Sequence, residues 1–93
     1  MAQIVQKADQ WLLSGDVVIL TASAILKSSQ ALSLANHTTI DFAHVADIDT
    51  TAISLILEWK RRAAKEMQTI ACVNLPVNLA SLLDLYGVAD LIQ

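Results

Sequence analysis

Glycine, proline and cysteine are nearly missing from this chain, which holds two, one and one of them. Two glycines cannot build a glycine-rich phosphate loop, so nucleotide-binding motifs of that kind have no basis here. The lone cysteine, Cys72, cannot close an internal disulfide. It falls in an apolar, strand-like run and reads as an inert buried thiol in a reducing compartment. His37 and His44 bracket another apolar run with no second ligand at close spacing, so neither a metal site nor a cofactor is expected. Charge is scarce too: 16% of residues, six Lys and Arg against nine Asp and Glu, net −3. The basic residues Lys60-Arg61-Arg62 and Lys65 sit at helical spacing on one element, which argues against nucleic-acid binding. The longest apolar-leaning run, Val17 to Leu26, is too short to span a bilayer and contains Thr21 and Ser23. Met1 to Lys7 is polar and lacks the apolar centre of a signal peptide. The chain reads as cytoplasmic, without direct membrane insertion.

Apolar residues, by contrast, make up 55% of the chain. Its 93 residues form one domain, 1–93. A domain of this size buries roughly 60–65% of its unfolded surface. With so few charges to cover the remainder, part of the apolar surface is expected to meet a partner or a second copy.

Periodicity then orders the elements. Gln3 to Val5 and Trp11 to Ser14 are short apolar runs, either two strands or one strand and a lead-in. Gly15-Asp16 is a turn signal, with Val17 to Leu20 as a returning strand. Thr21 can cap a helix over Ala22 to Ala35, and Asn36-His37 ends it. Thr38 to Phe42 alternates as a strand. After Asp49 the period changes. Ile53, Ile56, Leu57, Lys60, Ala64 and Met67 recur at helical spacing and predict an amphipathic helix of about five turns. Thr69 to Leu75 reads as a central strand that Pro76 ends, and Asn78 can cap a helix over Leu79 to Tyr86 that stops at Gly87. Val88 to Ile92 reads as a last apolar turn. The alternation predicts an α/β layer with a mainly parallel inner sheet.

Few residues are arranged for chemistry. Asp41, Asp47 and Asp49 alternate poorly for a shared metal, and no titratable pair reads as catalytic. Asp49 stands where a helix N-cap belongs. There its oxygens can accept free backbone N–H groups and meet the positive end of the helix dipole. Thr50 and Thr51 follow in the first turn, near solvent. On the far side of the helix from the expected core stripe, Thr51, Leu55, Trp59, Arg62 and Glu66 line up. Either another element covers Leu55 and Trp59, or they form a docking face, since Trp and Arg are common interface anchors.

Three stretches resemble the STAS family (sulphate transporter and anti-sigma factor antagonist domains). Ile40-Asp41-Phe42 followed by Val45 to Ile53 is similar to the family's strand and its Asp-Ser/Thr-x-Gly-Leu signature. Leu13-Ser14-Gly15-Asp16 resembles its early strand and Gly-acid turn, and Asn78 to Val88 its last Leu-rich helix. The resemblance implies a small mixed, mainly parallel sheet of about four strands packed against helices. It matches Asp49 to the signature acid and Thr50 to the Ser/Thr. Ala52 replaces a common glycine, and its small side chain still permits close approach. Two branches of the family compete. In MlaB-like proteins the hydroxyl is typically threonine. The protein is then a non-enzymatic subunit on the ATPase (MlaF-like) of a phospholipid ABC transporter, peripheral to the inner membrane through that complex. In anti-sigma factor antagonists a partner kinase phosphorylates the hydroxyl, usually a serine. Thr50, the short chain and the Leu55/Trp59 face favour the first, with Thr50, Thr51, Ala52, Leu55, Trp59 and Arg62 as partner-binding residues.

Overall fold

The computed structural model describes residues 2–87; the expected turn at Val88 to Ile92 lies outside them. A four-stranded sheet has the order β1-β2-β3-β4. Strands β1 (Gln3–Lys7) and β2 (Gln10–Val17) form an antiparallel hairpin. Strands β3 (His37–Ile48) and β4 (Thr69–Val73) add in parallel. Helix α1 (Ile19–Gln30) connects β2 to β3, α2 (Thr51–Lys65) connects β3 to β4, and α3 (Val77–Leu85) follows. This is the expected mixed α/β class.

The hairpin turn lies at Ala8-Asp9, not at Gly15-Asp16, with Ala8 at a φ of 57°. Gly15 and Asp16 lie inside β2, where its register against β3 shifts. Gly15, at a φ of 81°, serves that irregularity instead of a turn. Ile19 and Leu20 therefore open α1 and are not strand. Thr21 is not the cap but the third residue of the helix. Its hydroxyl accepts the Val18 N–H at 3.1 Å and donates to the Asp16 carbonyl at 2.7 Å. That is the reaching-back half of a capping box. α1 also ends earlier than expected, at Gln30. β3 runs past Phe42 to Ile48 because its pairing with β2 continues where the apolar alternation stops. β4 is an edge strand, not a central one. α3 starts behind Pro76 and not at an Asn78 cap, and Gly87 ends it at a φ of 68° as expected.

The largest correction concerns α2. Its buried residues are Ala52, Leu55, Ile56, Trp59 and Ala63. Ile53, Leu57 and Lys60 are half-buried, and Ala64 and Met67 are exposed. The expected stripe is thus displaced by about one residue, or roughly 100° around the helix. Packing at the sheet decides the phase. Trp59 meets Trp11 of β2 edge-on, with ring centroids 5.9 Å apart and planes at 90°. Its indole N–H donates to the Ser29 hydroxyl at 2.9 Å, which in turn donates to the Leu26 carbonyl at 2.6 Å. The Trp11 N–H donates to the Ser33 carbonyl at 3.1 Å. Both large apolar side chains are thereby buried with their polar ends satisfied, as burial requires. Cys72 is half-buried in β4, and burial pushes its thiol up to about 11, so it stays an unreactive thiol near neutrality.

Trp59→Ala is expected to destabilise the fold by about 3–5 kcal/mol. Ser29→Ala, which leaves the Trp59 N–H buried without a partner, is expected to cost about 1–3 kcal/mol. Urea unfolding followed by circular dichroism measures both. A loss for Trp59→Ala no larger than for Met67→Ala, at an exposed position, would contradict the placement of Trp59 in the core.

Candidate functional site

Strands β2 and β3 end side by side, with Val17 opposite Ile48. Both following helices start there, so two sets of unpaired helix N–H groups and two positive dipole ends converge. Asp49 stands between them. One carboxylate oxygen, Oδ1, accepts the Thr51 N–H at 2.8 Å and also the Thr51 hydroxyl. The other, Oδ2, accepts the Ile19 N–H of α1 at 3.0 Å. Its backbone N–H extends the sheet by donating to the Val17 carbonyl at 3.2 Å.

Asp49 is therefore the working cap of α2 and a cap of α1 as well. The helical assignment starts at Thr51, but Thr50 already has helical torsions and makes no side-chain capping bond. The bond donated by the Thr51 side chain holds the Asp49 carboxyl below its ordinary value of 3.8. Partial desolvation opposes this, and the N–H groups of Thr51 and Ile19 add to it.

The two threonines have separate fates. Thr51 is half-buried with its hydroxyl turned back to Asp49. Thr50 is exposed at the tip. A groove of about 380 Å³ runs from Thr51 between α1 and α2, past Ala22, Leu26 and Ser54. On the other side, Thr50, Ile53 and Ser54 face Tyr86 across a shallower recess.

The rest of the expected partner-binding set is largely turned away from this surface. Leu55 and Trp59 are 5% and 1% exposed, and Ala52 is buried beside them, so they belong to the core, and only Leu55 reaches the groove beside Thr51, as part of its floor. They face inward because the true core stripe of α2 runs through them. Arg62 is also engaged. Its guanidinium donates to the Ser29 carbonyl at 2.9 Å and to the Leu32 carbonyl, and lies 5.5 Å from the Trp11 ring centroid. It caps the C-terminal end of α1, the end that favours a cation. The outward stripe of α2 is instead Ser54, Glu58, Arg61 and Lys65, with Glu58 and Arg61 paired at 3.2 Å.

Sequence reasoning missed Ile19 and Leu20, which are 71% and 91% exposed beside Asp49. A usable signal existed. In parallel sheets binding surfaces gather outside the carboxyl ends of the strands, so the β2–α1 junction belongs with Thr50. Asp41 and Asp47, the other acids weighed, sit apart from Asp49's bonds. The bond from the Asn74 side chain holds Asp41 below its ordinary value, with the Ala43 N–H adding to it. Asp47 accepts the Ile48 N–H at 2.9 Å.

Because the folded carboxyl of Asp49 is held down, its contribution to stability is present above the ordinary value and is lost as pH falls through the lowered one. Asp49→Asn, which keeps a capping oxygen but removes the charge, is expected to cost about 0.3–1 kcal/mol near neutrality, and the gap to the unsubstituted chain should close below about pH 3.8. Urea midpoints from pH 7 to pH 2.5 test this; a gap that is constant across that range would contradict it.

Comparison with known proteins follows the fold. The sequence profile of a family described as "Mlab, STAS domain" matches residues 2–93. Among solved structures, a sulfate transporter family protein from Wolinella succinogenes superposes with a TM-score of 0.71 at 15% identity, covering 96% of this chain and 75% of that one. The Bacillus cell fate determinant SpoIIAA in its phosphorylated form superposes with a TM-score of 0.66 at 10% identity, covering 97% and 86%. The crystal structure of Mglu superposes with a TM-score of 0.58 at 20% identity, where 81% of this chain spans only 20% of the other. At these identities the likeness speaks for the fold. No curated protein matches the sequence significantly.

Proposed function

We propose that this chain, which belongs to the STAS domain family, is a non-enzymatic adaptor formed by a single domain over residues 1–93. In this reading it holds the ATPase subunit of a phospholipid ABC transporter through the tip of α2. It would sit in the cytoplasm, peripheral to the inner membrane through that complex. The observation that carries the reading is the exposed Thr50 hydroxyl at a rigid helix start, with Asp49 and Thr51 committed to holding it there. STAS domains are typically regulatory and interaction domains, and the family description over the whole length supports the transporter branch.

Mechanistically, an adaptor of this kind changes its partner by binding one state better than another. The shift it produces equals that difference in affinity and no more. A neutral hydroxyl at the tip suits tight, dehydrated contact. A carboxylate there stands beside Asp49 and close to Asp47, and repulsion adds to its desolvation cost.

A second reading, an anti-sigma factor antagonist switched by phosphorylation of Thr50, is favoured by the same exposure. A phosphate adds about two negative charges at the tip next to Asp49, enough to expel an acidic or apolar partner surface. Intact mass after incubation with a purified anti-sigma factor kinase, with Thr50→Val as control, distinguishes the two.

For the adaptor, Thr50→Glu is expected to weaken binding to the purified ATPase by about tenfold or more, while Thr50→Ser retains it. Titration calorimetry measures both, and undiminished affinity of Thr50→Glu would remove the tip from the interface.

A further inference from the structure

The same end of the domain carries an apolar protrusion that the core does not use. Ile19 and Leu20 stand out from the first turn of α1. Their backbone is fixed, because Asp49 holds the Ile19 N–H and the Thr21 hydroxyl holds that of Val18. Large aliphatic side chains held this far into water are the kind of feature that marks an interaction site.

The rim around them is acidic. Asp16 and Asp47 are register partners on β2 and β3, both are exposed, and Asp49 follows two residues after Asp47, just past the end of β3. The first cation along α1 is Lys27, about two turns away. The exposed cations of α2, Arg61 and Lys65, lie toward its opposite end.

We propose that Ile19 and Leu20 are the anchor of a protein–protein contact and enter an apolar socket whose rim carries Lys or Arg. This rests on the reading of the Thr50 end as a docking surface and specifies the chemistry of what docks there. The acidic rim selects among occupants. It repels the anionic surface of a cytoplasmic leaflet, so the protrusion is not a membrane wedge. It also disfavours a two-fold pair of copies through this face, which would bring acids against acids. A cationic rim is attracted, and that attraction speeds encounter and fixes orientation.

The test measures affinity for the purified ATPase of a phospholipid ABC transporter and, in parallel, for a purified anti-sigma factor kinase. Leu20→Ser and the double variant Asp16→Asn/Asp47→Asn are compared with the unsubstituted chain. Thermal melts should match, since all three positions are exposed. Leu20→Ser is expected to weaken binding about tenfold or more. The double variant is expected to lose about threefold and to flatten the salt dependence between about 0.05 and 0.5 M NaCl.

These effects on the ATPase support both the anchor and the adaptor reading. The same effects on the kinase alone keep the anchor and remove the ATPase. Where the chain binds the ATPase and every variant binds it equally well, the anchor is overturned and the adaptor reading stands; undiminished binding of every variant to the kinase alone overturns both. A chain that binds neither protein overturns both. Leu20-dependent binding to phosphatidylcholine vesicles, or Leu20-dependent self-association in sedimentation, overturns the anchor by naming another occupant.

Discussion

One carboxylate holds the working end of this domain together. Two helices begin side by side at the carboxyl ends of β2 and β3, and each brings unpaired N–H groups and a positive dipole end to the same place. Without an anion there, those donors would face each other and compete for water at a crowded junction. Asp49 divides its two oxygens between them, Oδ1 to Thr51 and Oδ2 to Ile19. Its backbone meanwhile donates to Val17. One residue therefore ties the ends of β2 and β3 to the starts of α1 and α2. The direction in which Thr50 points follows from that arrangement.

The far end of α1 is held by the complementary charge. Arg62 donates to the last carbonyls around Ser29 and Leu32 and lies over Trp11. Helix α1, whose own sequence is rich in serine and modest in helix propensity, is thus gripped at its N-terminal end by an acid and at its C-terminal end by a base. Both come from the β3–α2 segment. Tertiary electrostatics supply the definition that local propensity lacks, and with it a stable groove between the two helices.

Several features were legible in the residues, and the failures have a common cause. The Asp49 cap, the long helix after it and the parallel α/β class follow from local patterns that tertiary structure reinforces. The phase of α2 does not. Two stripes, one through Ile53 and Leu57 and one through Leu55 and Trp59, share residue Ile56 and the same spacing. Lys60 in the middle of the first stripe was the available warning. Ala52 and Ala63 in the second are small because α2 packs closely there, a demand of the neighbours that the helix alone cannot express. Likewise Gly15-Asp16 has turn chemistry but serves a shift in strand register, while the true turn at Ala8-Asp9 contains no glycine or asparagine. Arg62 looked like a surface anchor because its acceptors are backbone carbonyls, which leave no trace in sequence.

The paired indoles have a practical consequence. Trp11 and Trp59 are the only two tryptophans of the chain, and they meet where α2 packs on β2, with their N–H groups bonded to protein oxygens. Tryptophan fluorescence from this protein therefore comes from a single buried, hydrogen-bonded pair. Its emission is that of an apolar environment and shifts to the red when the contact between α2 and β2 opens. The Thr50 tip, about 13 Å of helix rise away, carries no such fluorophore. Tryptophan-emission unfolding curves on this chain thus report the interior, while Tyr86, which borders the recess beside Thr50, or an extrinsic dye at the tip would report occupancy as an independent signal.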